Sequence, residues 1–182
     1  MFSIQKKSVI PFTLTALVII VDQAIKAFIV ARWPDNPDLI KDVFDNGFLW
    51  IYHVRNKAIA FSLGDGIPPP FRVALFIIIP IVVLGFLIWY YFAGAEFSRL
   101  QRWAIAGIIG GGISNIIDRI ARKDGVVDFI SVKFYGLFGL TRWPTFNVAD
   151  ASVVVCCIIL LVTMLVSKQQ PESNLQGRSN NE

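Results

Sequence analysis

The sequence predicts an all-α membrane protein: four transmembrane helices with a small extramembrane β platform between helices 1 and 2. Three observations predict it. Of 182 residues, 55% are hydrophobic and only 16% are charged, against roughly 45–50% and 25% in soluble domains. The mean hydropathy is +0.61. Four apolar runs approach or reach the ~20 residues a helix needs to cross a bilayer core.

The first run covers about 9–31, after Lys6 and Lys7. A basic start suits a secretory leader. This run, however, is longer than a leader's apolar region, carries Asp22 and Lys26, and lacks a small-x-small cleavage site, so it reads as a retained helix. A long connection follows, about 33–71. Its "FLWIYHV" (Phe48–Val54) and "AIAFSL" (Ala58–Leu63) are β-branched and aromatic and read as short strands. "PPP" (Pro68–Pro70) then stops regular structure.

The second helix is predicted over 73–95, with Pro80 tolerable in a membrane span. A short loop, "EFSRLQR" (Glu96–Arg102), leads to a third helix over 103–120. The aromatic "FISVKFYGLFGLTRW" (Phe129–Trp143) joins it to the fourth, over 149–166, and has room for extended structure. Cys156 and Cys157 lie inside this last run, where lone thiols behave as small apolar residues. The polar tail, 167–182, is expected to be disordered. Residues 1–166 thus form one four-helix domain.

A four-pass alternation puts both long connections on one side of the bilayer, and both termini with the short loop on the other. Asp22 lies ~20 Å along its helix from Val9, toward the long-connection side. Asn115, Asp118 and Arg119 come late in the third helix, Asp128 follows it, Asp150 opens the fourth, and Asn56 lies in the first connection. The unusual polar residues therefore converge on one membrane face. Charge does not orient the chain: six Lys/Arg fall on the terminus side and ten on the other, which the positive-inside rule does not read as N-in. The net charge of +4 is scattered, with no basic run interleaved with aromatics, and implies no nucleic acid.

Charged groups in a span are expensive, roughly 2.5–3.5 kcal/mol at the centre, and mark sites or pair with one another. Asp22 and Lys26 stand at i,i+4, so they either neutralise each other, with Lys26 snorkelling outward, or support a site. Asn115 lies nearly on the face of Asp118; this group either glues helices or belongs to a site. Gly107 and Gly111 form a G-x-x-x-G that favours helix packing over admitting a peptide. Asp150 could cap the fourth helix and leave Asp128 an ordinary loop carboxylate. Alternatively the two form a dyad: carboxylates held close cannot both ionise easily, so one keeps a proton and the other is a base.

Other hydrolytic chemistries lack parts. The single histidine, His53, excludes an H-E-x-x-H or multi-histidine zinc site. A serine triad would need His53 beside Ser62 or Ser114, without a nucleophile elbow. A rival reading is a small proton-coupled carrier relaying through Asp22, Lys26 and Asp118. It lacks polar residues in helix two and in the inner halves of the others. A non-enzymatic membrane scaffold is a third reading.

Five blocks, "DQAIK" (Asp22–Lys26), "NKAIAFS" (Asn56–Ser62), "GGISNIIDR" (Gly111–Arg119), "VVDF" (Val126–Phe129) and "FNVAD" (Phe146–Asp150), occur in an order and spacing that resemble the lipoprotein signal peptidase family, signal peptidase II. The resemblance spans the chain apart from its tail. It implies an aspartic endopeptidase of the bacterial inner membrane that cuts diacylglyceryl-modified prolipoproteins just before the lipidated cysteine, without metal or organic cofactor. It implies cytoplasmic termini, a site on the outer, periplasmic side, and inhibition by globomycin-like lipopeptides. On this resemblance Asp128 and Asp150 are the catalytic pair. Asn56, Asn115, Arg119 and Asn147 contact substrate, and Asp22, Lys26 and Asp118 support them. Ala58 and Ser114 depart from the family's usual glycines; the first bears on the turn after Asn56.

Overall fold

A computed structural model describes residues 9–33, 44–56, 68–93, 96–122 and 124–179, with side chains to Val166 and not at Pro69 and Pro70. Four helices are long and apolar enough to cross a membrane, and three strands form one small sheet. The first span is α1 (Phe12–Arg32). The second is a composite: a turn of helix α2 (Pro69–Val73), a π segment (Ala74–Ile78) and α3 (Ile79–Phe92). Pro80 accounts for the π segment. It has no N–H for the Phe76 carbonyl four residues back, and the ladder widens so that Ile79 N–H donates to the Ala74 oxygen.

The third span, α4 (Arg99–Ala121), starts four residues earlier than predicted. Ser98 and Gln101 cap it reciprocally: the Ser98 hydroxyl accepts from Gln101 N–H, and Gln101 Oε1 accepts from Ser98 N–H. This S-x-x-Q box lies inside the segment read as a loop. The fourth span opens α5 (Val148–Ser179). The helix runs on over residues 167–179 of the tail expected to be disordered. Elongating an existing helix needs no new nucleus.

Half of the apolar window of α4 is buried, against 11% of the second and fourth spans, which makes α4 the central helix. Its glycines seat its neighbours. A Cβ at Gly111 would run into the Ala149 carbonyl of α5 and one at Gly107 into the Cys156 thiol of the same helix, while one at Gly110 would stand 3.0 Å from the Thr15 backbone of α1. The packing reading of G-x-x-x-G therefore holds.

The β platform draws on both long connections, not the first alone. β1 (Phe44–Asp45) pairs with β2 (Leu49–Asn56), and β2 with β3 (Val126–Val132), all antiparallel. Ala58–Leu63 lies outside the described residues. An irregularity between Ile51 and Val54 lets both face the same side, opposite Ile130 and Asp128, where a plain two-residue period would have split them. Asp128 is thereby a strand residue rather than a loop carboxylate. Val127 and Phe129 pack on Ile29, with Ile25, Trp33 and Val148 around them, fastening the sheet to the ends of α1 and α5.

Candidate active site

Two carboxylates meet where β3 passes the start of α5, and the local structure of each follows from its sequence. "NVAD" opens α5 with a reciprocal cap. Asp150 N–H donates to Asn147 Oδ1 at 2.9 Å, and Asn147 N–H donates to Asp150 Oδ2 at 3.1 Å. Asp150 does cap its helix, and does so with one oxygen. The other, Oδ1, accepts from Asn115 Nδ2 at 2.7 Å.

Asp128 is 2% exposed on β3. Its Oδ1 accepts from Asn147 Nδ2 at 2.7 Å and its Oδ2 from Asn56 Nδ2 at 2.8 Å. Asn56 reaches it diagonally across the β2–β3 pair, two residues along from the Asp128 partner Val54. Asn147 thus serves both carboxylates, its backbone N–H donating to Asp150 and its side-chain amide to Asp128. Burial first, and then the neighbouring charge of Asp150, push the Asp128 carboxyl up to about 7; the two asparagine amides and Lys26 oppose that rise.

Behind the carboxylates lies a fully buried ionic cluster. Lys26 does not snorkel. It is 0% exposed, and its three N–H groups are matched by three acceptors: Asp22 Oδ2 at 2.7 Å, Asp118 Oδ2 at 2.9 Å and Asn115 Oδ1 at 3.0 Å. Because an ammonium only donates, it holds the Asn115 carbonyl toward itself and so turns the Asn115 amide toward Asp150. Asp22 Oδ1 accepts the Ala149 N–H at 3.0 Å, pinning the first turn of α5. Asp118 Oδ2 accepts the Val127 N–H at 3.2 Å, pinning β3 next to Asp128. Arg122, partly exposed at the edge of the cluster, adds the second cation, with Nε 2.9 Å from Asp118 Oδ1. Two acids and two bases balance the cluster.

Arg119 lies in electrostatic reach of both Asp128 and Asp150. Its guanidinium carbon sits 5.1 Å from the ring centroid of Phe76. Phe76 belongs to the π segment and is 6% exposed in a span that mostly faces outward. All nine polar residues singled out in the sequence are therefore parts of one continuous arrangement.

Sequence reading missed Gln23, Phe76 and Arg122 as parts of it. Gln23 Nε2 donates to the Ser114 hydroxyl, the Ser114 carbonyl and Asp118 Oδ1 at 3.0–3.1 Å. Ser114, the departure from glycine, donates to Asp22 Oδ2 at 2.7 Å, so its hydroxyl is absorbed by the cluster. Ala58 lies outside the described residues. His53 takes no part: its Nδ1 meets the Trp33 carbonyl oxygen.

Residues 14–166 match the family described as signal peptidase (SPase) II. The chain is 40% identical to the lipoprotein signal peptidase of Treponema pallidum (strain Nichols) over 177 residues, which cover 97% of this chain and 93% of that protein. It is 43% identical to that of Treponema denticola over 164 residues, 89% and 92% of the two. A solved bacterial membrane enzyme superposes with a TM-score of 0.70 at 27% identity, covering 88% of this chain and 90% of its own.

Proposed function

The chain belongs to the signal peptidase II family of multi-pass membrane proteins, and from that premise we propose that Asp128 and Asp150 are its catalytic pair. The family's activity is removal of the signal peptide from prolipoproteins, and the carrier reading finds no support. The mechanism, the finer cleavage specificity and the orientation are our inference. The observation that carries it is the single asparagine, Asn147, bonded to both carboxylates.

Two acids so linked, one with a value of about 7, share one proton at neutral pH. Asp128 holds it. Asp150 is the base, at a helix N-terminus whose dipole favours the anion. Asp150 takes a proton from water while the oxygen attacks the scissile carbonyl carbon. Asp128 gives its proton to the carbonyl oxygen, forming a tetrahedral diol. Asp150 then returns its proton to the amide nitrogen, the C–N bond breaks, and Asp128 recovers a proton from the diol as the new carboxyl forms.

Arg119 and Asn115, with Asn56, hold the peptide beside the pair. The site lies at the ends of the spans, so a diacylglyceryl chain on the substrate cysteine stays in lipid while the bond just before it reaches water. By resemblance the termini are cytoplasmic, the site faces the outer side of the inner membrane, and globomycin-like lipopeptides bind at it. The test is signal-peptide release from a diacylglyceryl-modified precursor by purified Asp128→Asn and Asp150→Asn proteins. General acid–base groups contribute about 10²–10⁴-fold, so each variant should fall at least that far. Near-normal turnover by either would exclude the pair.

A further inference from the structure

The end of the sheet remote from the carboxylates differs from the surface around it. The β1–β2 turn and the loop after β3 meet there: Lys133 N–H donates to the Phe48 carbonyl at 2.8 Å, and Lys133 bridges to Arg142. Phe44, Phe48, Tyr135, Leu137 and Phe138 crowd this end with exposures from 46% to 85%. Tyr135 and Phe138 both hold a φ of 54°, a left-handed conformation that bulky residues rarely adopt and that keeps strain in a loop whose rings face outward. The Lys133 ammonium lies 5.2 Å from the Tyr135 ring centroid, giving the patch a basic edge.

Aromatic rings beside a basic side chain are the composition of a membrane–water interface. The other end of the sheet is rooted at that interface. Val127 N–H is tied to Asp118 of the third span, and Phe146 pairs with Ile130 just before the fourth span begins. Five strand steps lead from Asp128 to Lys133, ~17 Å, so a sheet lying along the bilayer would hold its far end against lipid.

We propose that this end of the sheet is a lipid anchor: Tyr135, Leu137 and Phe138 enter the interface of the adjacent leaflet, and Lys133 meets headgroup phosphates. The anchor holds the strands parallel to the membrane and with them the depth of Asp128. It stands independently of the cleavage chemistry.

Spin labels test it. Phe138→Cys and, separately, Leu137→Cys are introduced with Cys156→Ala and Cys157→Ala, and the labelled proteins are placed in phosphatidylethanolamine–phosphatidylglycerol nanodiscs. A label at Val162, 53% exposed on the fourth span, is the lipid reference. Power saturation is expected to show greater access to oxygen than to a water-soluble nickel chelate at both loop positions, as at Val162. Greater access to the chelate would overturn the proposal by placing the loop in water. Immobile labels closed to both reagents would overturn it in favour of a protein cover, such as a second copy of this chain.

Discussion

Replacing Asp128 with asparagine should remove a pH-dependent loss of stability. The Asp128 carboxyl has a folded value of about 7 against an ordinary 3.8. The folded state therefore holds this proton more tightly than the unfolded one, and stability falls as pH rises from about 4 to 7. At 1.36 kcal/mol per pKa unit the full loss is about 4 kcal/mol, of which somewhat more than half falls between pH 5 and pH 8. Asparagine has no such slope. Its own cost, an amide facing the Asn56 and Asn147 donors, is the same at both pH values and cancels in the comparison. Thermal unfolding followed by tryptophan fluorescence at pH 5 and pH 8 reads the difference. The variant should gain on wild type by ~5–10 °C on going to pH 8. Parallel melting temperatures at the two values would refute a raised Asp128 and, with it, the shared proton.

Lys26→Met leaves Asp22 and Asp118 buried without their common cation; a broken buried pair costs about 3–5 kcal/mol, and a thermal melt should show unfolding or severe loss. A melting point within a few degrees of wild type would mean that the cluster is not ionised. Phe76→Leu removes the ring beneath Arg119 while keeping an apolar side chain in the span. A desolvated cation–π contact is worth ~2 kcal/mol, so kcat/KM should drop about 10–30-fold with the melting point little changed, and unaltered kinetics would show that Arg119 needs no such seat.

The spans were legible because twenty apolar residues have few uses outside a bilayer, and the convergence of polar residues followed from counting crossings. Less was legible where partners are distant in sequence. Asp22 and Lys26 read as a self-contained pair, yet Lys26 is held by Asn115 and Asp118 from another helix, a contact no local pattern encodes. "VVDFISV" gave no clear alternation because nearly every residue of β3 is buried, so the two-residue period that marks a half-exposed strand is missing. The caps Ser98–Gln101 and Asn147–Asp150 could have been found from their three-residue spacing. The sequence reading offers Asp150 alone as a cap, without its Asn147 partner and as an alternative to catalysis, whereas one carboxylate has two oxygens and can do both.

The pH dependence of kcat/KM tests the shared proton most directly. With Asp150 required ionised and Asp128 required protonated, the profile should be bell-shaped, its alkaline limb falling from a midpoint near 7. A rate that stays level or keeps rising from pH 7 to pH 9 would contradict the account, because no acid with that value would then be needed.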